Sequence, residues 1–231
     1  MTDLSKWTPR SLPARVPMEG RFVRLEPLDL DAHAEGLFEA STTPDAGERF
    51  RFLSDFPPPN REIFHEWIAK SASTVDPMMF VLIDKSTGKI GGRQSFMRID
   101  QANGVIEVGN ILWTGLVARR PAATEAIYLF ARQIFDDLGY RRFEWKCNDR
   151  NEPSKRAALR FGFQAEGVFR KHMVVKGENR DTAWYAMTDD DWPAIRDAFE
   201  AWLDPSNFDE TGNQIARLQA LREEIENGGT A

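Results

Sequence analysis

Residues 105–140, VIEVGNILWTGLVARRPAATEAIYLFARQIFDDLGY, constrain the fold more than any other stretch. The run opens on Val105, Ile106, Val108, Ile111, Leu112 and Trp113, a nearly continuous apolar segment suited to a strand buried on both faces. It closes on Ala123, Ala126, Ile127, Phe130, Ile134 and Leu138, at the three-to-four spacing of an amphipathic helix. Between them stands the turn Arg119-Arg120-Pro121-Ala122-Ala123-Thr124. A strand that passes straight into a helix leaves unpaired N–H groups and the positive end of the helix dipole at the junction. Two arginines there add fixed positive charge, which suits the junction to phosphate.

The flanking sequence supplies the rest of a sheet. Residues 1–20 hold three prolines and no period, and read as an extended arm. Arg21 to Glu26 alternates as a first strand, and Asp29 or Asp31 caps a helix with Leu30, Ala34, Leu37 and Phe38 on its apolar stripe. A short helix is expected over Glu48 to Leu53, ended by Pro57-Pro58-Pro59. Asn60 caps the next, with Ile63, Phe64, Trp67 and Ile68 expected inside. Met79 to Ile83 and Gly91 to Ile99 join Val105–Trp113 as an antiparallel meander with polar turns.

Beyond the central helix, Arg142 to Cys147 alternates as a strand parallel to Val105–Trp113, completing a βαβ unit. Asn151-Glu152-Pro153-Ser154 opens a short helix ending at Gly162. Phe163–Val175 and Thr182–Met187 form a hairpin around Lys176-Gly177. Two helices, Trp192–Leu203 and Asn213–Glu226, close the chain. The apolar stripe of the last, Ile215, Leu218, Leu221 and Ile225, packs on the domain or against a second chain.

Composition narrows the function classes. The 231 residues carry a net charge of −6, which argues against nucleic acid as an obligatory partner. The single cysteine, Cys147, allows no intramolecular disulfide, and the three histidines stand at no metal-ligand spacing, so no metal is expected. No apolar run reaches the roughly 20 residues of a membrane span, and the first residues lack a signal-peptide core. A cytoplasmic protein without a membrane partner is expected. No G-x-G-x-x-G or G-x-x-x-x-G-K occurs, and the meander is wrong for a nucleotide-binding Rossmann domain.

The helix start Ala123-Thr124-Glu125-Ala126, the motif Asn151-x-x-Ser154, the ending Leu159-Arg160-Phe161-Gly162-Phe163 and Arg180-Asp181-Thr182 together resemble the GNAT acyltransferases, most closely the RimJ/RimL-like branch. The resemblance covers roughly residues 20–190. It implies an α/β (α+β) GNAT fold: a mixed, mostly antiparallel sheet of six to seven strands with a splayed parallel central pair and helices on both faces. Residues 1–190 would form the acyltransferase domain, and 191–231 a helical extension.

The implied activity is acetyl transfer from acetyl-CoA to a primary amine, on a small molecule or a protein N-terminus, by direct attack on the thioester. The pantetheine arm would lie between the Val105–Trp113 and Arg142–Cys147 strands, bonded by free backbone groups near Ile111, Leu112 and Trp113. The pyrophosphate would rest on Arg119, Arg120, Ala122, Ala123 and Thr124. Asn151 is a cofactor contact, a helix cap, or both. Ser154 is the candidate acid for the leaving thiolate, with a merely local hydrogen bond as its competitor. Glu107, an acid on a buried strand, is a candidate base acting directly or through water, or half of an ion pair.

Two positions depart from the family. Where the phosphate loop usually carries a middle glycine this chain has Pro121, which removes an N–H donor; Arg119, Arg120 and the Thr124 hydroxyl are expected to replace it. Ala158 stands where many relatives place an acidic tyrosine. Trp113, Trp145 and Tyr185 are expected as core or pocket wall, Cys147 as an inert thiol, and His172 as a remote alternative base. A rival donor is succinyl-CoA, with Arg93, Arg119 and Arg120 receiving its carboxylate. A second class of reading is CoA binding without turnover. Acidic residues Asp45, Glu48 and Asp55 would suit a cationic acceptor or merely be solvated. Monomer and homodimer both remain open.

Overall fold

A computed structural model describes residues 3–228. Its eight-stranded sheet comprises β1 (Met18–Glu19), β2 (Val23–Pro27), β3 (Met78–Asp84), β4 (Ile90–Asp100), β5 (Val105–Trp113), β6 (Arg142–Asn148), β7 (Gln164–Val175) and β8 (Glu178–Thr188). The spatial order is β1-β2-β3-β4-β5-β6-β8-β7. All neighbours are antiparallel except β5 and β6, which pair in parallel across the central helix. The strand beyond the six to seven expected is β1, where Met18 and Glu19 pair with Leu25 and Arg24. Two residues carry no period, so pattern alone does not reveal them.

Helices α1 (Leu30–Ser41), α2 (Ala46–Phe50) and α3 (Arg61–Ser73) precede β3. Asp29, rather than Asp31, caps α1 by accepting from the Ala32 N–H, and Asn60 caps α3 by accepting from the Ile63 N–H. Phe64 and Ile68 are buried as expected, but Ile63 is 51% exposed. It occupies the third residue of α3, on the turn before the helix settles against α1, and the stripe runs from Phe64 onward. The short helix lies at Ala46–Phe50, a little ahead of its expected place.

Helix α4 (Pro121–Arg132) starts on a proline whose missing N–H would be unpaired there anyway, and a π-helical turn at Gln133–Asp137 extends it. Its apolar face, with Ala126, Ile127 and Phe130, packs on Phe80, Phe96, Ile106 and Phe143 of the sheet. Inside this helix Glu125 is nearly buried, and its carboxylate accepts from the N–H groups of Arg21 (2.7 Å), Phe22 (2.6 Å) and Val23 (2.9 Å). It thereby fixes the start of β2 to the central helix.

Helices α5 (Glu152–Arg160) and α6 (Trp192–Leu203) follow β6 and β8. The last helix, α7, spans only Leu218–Glu226, and Ile215 stands outside it, 69% exposed. Residues 213–217 are drawn off by the Asn207 side chain, which accepts from the Ala216 N–H and donates to its carbonyl. Leu218, Leu221 and Ile225 pack on the same core as Phe199 and Trp202 of α6. The N-terminal arm crosses the β4–β5 turn, where Trp7 Nε1 donates to the Ala102 carbonyl at 2.7 Å.

Candidate active site

The β5–β6 ladder runs only from Val105–Arg142 to Val108–Trp145. Both strands continue, but each follows its outer neighbour: β5 stays with β4 as far as Trp113, and β6 stays with β8 as far as Asn148. The cause lies in β5. Between Arg93 and Ser95 of β4 there is one residue, whereas between their partners Leu112 and Gly109 there are two, so β5 bulges at Asn110–Ile111. Asn110 takes φ 53°, a left-handed conformation that asparagine tolerates. Across from the bulge, Gly92 has φ 145°, and a Cβ there would stand 1.9 Å from the Leu112 oxygen. Only glycine admits so close an approach.

The opening is a cleft of about 710 Å³. One wall is Val108 to Trp113; the other is Trp145 to Asn148 with Asn151, Ser154 and Ala157 of α5. Asn110 and Ile111 pair with no residue of either neighbouring strand, while Gly109 and Leu112 remain paired with Ser95 and Arg93 of β4. Ile111 lies at this open edge, whereas the Leu112 carbonyl faces Gly92 of β4 and the Trp113 carbonyl accepts from the Arg49 guanidinium. The Trp113 ring meets Trp145 and Phe161 edge to face.

At the mouth of the cleft lies the loop into α4. Ala118 and Arg119 line it, with Arg119 exposed at φ 62°. Among the described residues, the N–H groups of Arg119 and Ala122 have no acceptor, whereas those of Arg120 and Ala123 bond the carbonyls of Val117 and Arg120. Arg120 is exposed and donates from Nε to the Gly115 carbonyl. Ala122, Ala123 and Thr124 are buried, and the Thr124 hydroxyl accepts from Arg160 Nη1 at 2.9 Å instead of standing open. Arg160 thus sits behind the helix tip, stacked on Phe161 and Trp202; burial lowers its proton affinity below the ordinary guanidinium value.

Asn151 caps α5, accepting from the Ser154 N–H at 3.2 Å, and also lines the cleft. The Ser154 Oγ accepts from Trp145 Nε1 at 2.9 Å and lies beside Cys147. Burial pushes the Cys147 thiol up, partly offset by its contact with Ser154. Ala158 is fully buried.

The other face of the sheet carries charge. Glu107 is 3% exposed. Arg98 Nη1 donates to both of its oxygens, at 2.8 and 2.7 Å, and Lys146 Nζ stands 2.9 Å from Oε2. Lys146 also pairs with Glu144 at 2.6 Å and lies over the Trp184 ring. The ion-pair alternative for Glu107 is therefore present. A carboxylate offers about four lone-pair positions, so the three contacts from Arg98 and Lys146 do not fill it, and Glu107 is among the residues lining the cleft. Burial raises the Glu144 carboxyl, but hydrogen bonds from Lys146 and Arg142 outweigh that and leave it below its ordinary value.

Arg93 does not face the cleft: its guanidinium pairs with Asp55 at 2.5 Å and lies over Trp67 and Phe50. His172 also stands outside, bonded to the Thr182 hydroxyl and packed on Phe169 and Trp184. Sequence reasoning missed Lys146, Arg98 and Arg180, all of which line the cleft. For Lys146 the signal was its place two residues from Glu144 on the polar face of β6; Arg180 stands in the Arg180-Asp181-Thr182 motif, which marks the residue but not its place in the cleft, and for Arg98 no spacing gave it away.

Comparison with known proteins decides the family. The acetyltransferase (GNAT) domain model matches residues 23–164, more than half of the chain. The chain belongs to the GNAT acetyltransferase family. A GCN5-related N-acetyltransferase from Brucella melitensis, solved by crystallography, is 55% identical with a TM-score of 0.94, covering 95% of this chain and all of that one. The N-acetyltransferase p20 of Bacillus licheniformis, itself uncharacterised, is 31% identical over 108 residues, 47% of this chain. The match spans only 60% of that relative's length. The GNAT fold is shared with the microcin C7 self-immunity acetyltransferase MccE, solved with acetyl-CoA and AMP: 24% identity, TM-score 0.65, covering 73% of this chain and 93% of that one. No helix among the described residues is long and apolar enough to cross a membrane.

Proposed function

We propose that the chain transfers an acetyl group from acetyl-CoA to a primary amine, as a cytoplasmic enzyme of the RimJ/RimL-like branch. The observation that carries this reading is the end of the β5–β6 ladder at Val108–Trp145, which opens a cleft with a two-arginine loop at its mouth. The unbonded N–H groups of Arg119 and Ala122, with the Arg119 and Arg120 guanidiniums, suit a pyrophosphate. Thr124 enters through Arg160, which it holds at the helix tip. The backbone groups of Asn110 and Ile111, paired with neither neighbouring strand, suit an amide-bearing arm and a thioester carbonyl.

In this reading the amine lone pair attacks the thioester carbon. The C–N bond forms, the C–S bond breaks, and the electron pair leaves on sulfur. The proton lost by the amine goes to Glu107, directly or through one water, and from there to solvent; the thiolate takes a proton from the Ser154 hydroxyl, which regains one from solvent, so that CoA leaves as the free thiol. Holding the two reactants together supplies most of the acceleration. Residues 191–231 act as a helical extension of the 1–190 domain.

Thiol release from acetyl-CoA with a mixture of amines tests the reading. Release with acetylated product is expected. Tight acetyl-CoA binding without release would favour a non-catalytic CoA-binding protein, and no binding would overturn the proposal.

A further inference from the structure

Three arginines of the cleft, Arg119, Arg150 and Arg180, make no ion pair among the described residues; Arg119 and Arg150 are exposed to water, and Arg180 is half-buried. The acids of the cleft are Asp45, Glu48 and Glu107, and each already has a basic partner: Asp45 with Arg49, Glu48 with Arg51, Glu107 with Arg98 and Lys146. Asp55, nearby, is taken by Arg93. No acid is left over to attract a polycationic acceptor. Arg180, by contrast, makes no ion pair and no side-chain hydrogen bond among the described residues, and its Nε is shielded from solvent. A half-buried guanidinium without a counter-charge is costly unless a ligand supplies one.

Its place on the sheet says where that ligand would be. The β6–β8 register pairs Glu144 with Ala186, Lys146 with Trp184 and Asn148 with Thr182, and Arg180 follows two residues on. Side chains alternate along a strand, so Arg180, Thr182 and Trp184 share the face of Lys146 and Glu107, away from the α4-packed face of Trp145 and Tyr185. Glu107 and Arg98 are both close enough for their charges to act on Arg180, and Met97 and Met173 line the cleft with it.

We infer that Arg180 binds a substrate carboxylate, so that the acceptor is an amino-acid-like amine, its nitrogen toward Glu107 and its carboxylate on the guanidinium. This rests on the acyltransferase reading above and names its substrate class. A planar guanidinium takes a carboxylate through two parallel N–H donors, which fixes direction as well as charge. The same chemistry would receive the terminal carboxylate of a succinyl donor, and the two sources separate by experiment.

The test is calorimetry on the full chain, native and Arg180→Gln, with and without CoA. The probes are N-acetyl amino acids of all side chains, each beside its carboxamide, and acetyl-CoA beside succinyl-CoA. At least one carboxylate is expected to bind roughly ten- to hundredfold tighter than its amide, the range for a hydrogen bond to a charged group, with the gap closing in R180Q. A gap between succinyl-CoA and acetyl-CoA that closes in R180Q would put the carboxylate on the donor. No gap in either series, or one that survives in R180Q, overturns the assignment. Failure of native protein to bind acetyl-CoA is a separate outcome that strikes the acyltransferase reading, since the carboxylate gap is also read without CoA.

Discussion

Val108 and Trp145 are the last residues at which β5 and β6 pair. Two residues further on, β5 bulges at Asn110, and Ser154 stands on the opposite wall of the cleft, held by Trp145. The same tryptophan therefore closes the ladder and positions the proposed acid.

Replacing Ser154 by alanine is expected to lower turnover by about a hundredfold at saturating acetyl-CoA, the low end for loss of a positioned proton donor. Acetyl-CoA affinity should change little, since the cleft walls stay in place. An unchanged kcat would remove Ser154 from the protonation step.

Glu107→Gln leaves Arg98 and Lys146 facing a neutral group in a buried setting. A loss of about 3 kcal/mol in urea unfolding is expected, together with activity. Adding Lys146→Met should recover part of the stability and none of the activity, because the pair is coupled. If the double variant were less stable than the sum of the two singles, the network would not be as described.

The sequence shows some of this and conceals the rest, for physical reasons. Strand and helix periods located β5, α4 and β6 because each buries a regular apolar face. Asn151 was legible as a cap because Asn-x-x-Ser is local chemistry. The bulge at Asn110 was not, since it is a mismatch between two strands and exists in neither alone. Likewise Arg98 and Lys146 meet Glu107 from β4 and β6, Arg180 joins the same cleft from β8, and Arg93 finds Asp55 across 38 positions of chain. Nor does anything local to Thr124 show that Arg160, 36 positions away, donates to its hydroxyl.

Gly20 and Glu125 form a further tight contact: a Cβ at Gly20 would lie 2.3 Å from the Glu125 carboxylate. Gly20→Ala should cost about 2 kcal/mol by displacing that side chain. Glu125→Ala should cost about 3 kcal/mol or more, because three backbone N–H groups lose their acceptor. Thermal unfolding would check both; a neutral Glu125→Ala would show that the β2 start does not depend on this anchor.

Acid unfolding should report on Arg142. It donates to Glu166 at 2.8 and 2.5 Å and to Glu144 at 2.7 Å. The Arg142 bond holds the Glu166 carboxyl below its ordinary 4.5. Glu144 is lowered as well, its burial outweighed by Lys146 and Arg142. Folded values below the unfolded ones mean that this stabilisation is full above pH 4.5 and fades as pH falls through the folded values. Arg142→Met should therefore make stability less dependent on pH below 4.5 and lower it above. An unchanged acid limb would contradict the pairing.

The most direct measurement is a crystal structure of the chain with acetyl-CoA. The account predicts the pyrophosphate against Arg119, Arg120 and the Ala122 N–H, with the thioester between residues 109–112 and 146–148. Density for the cofactor elsewhere, or a β5–β6 ladder closed through Trp113 in its presence, would contradict it.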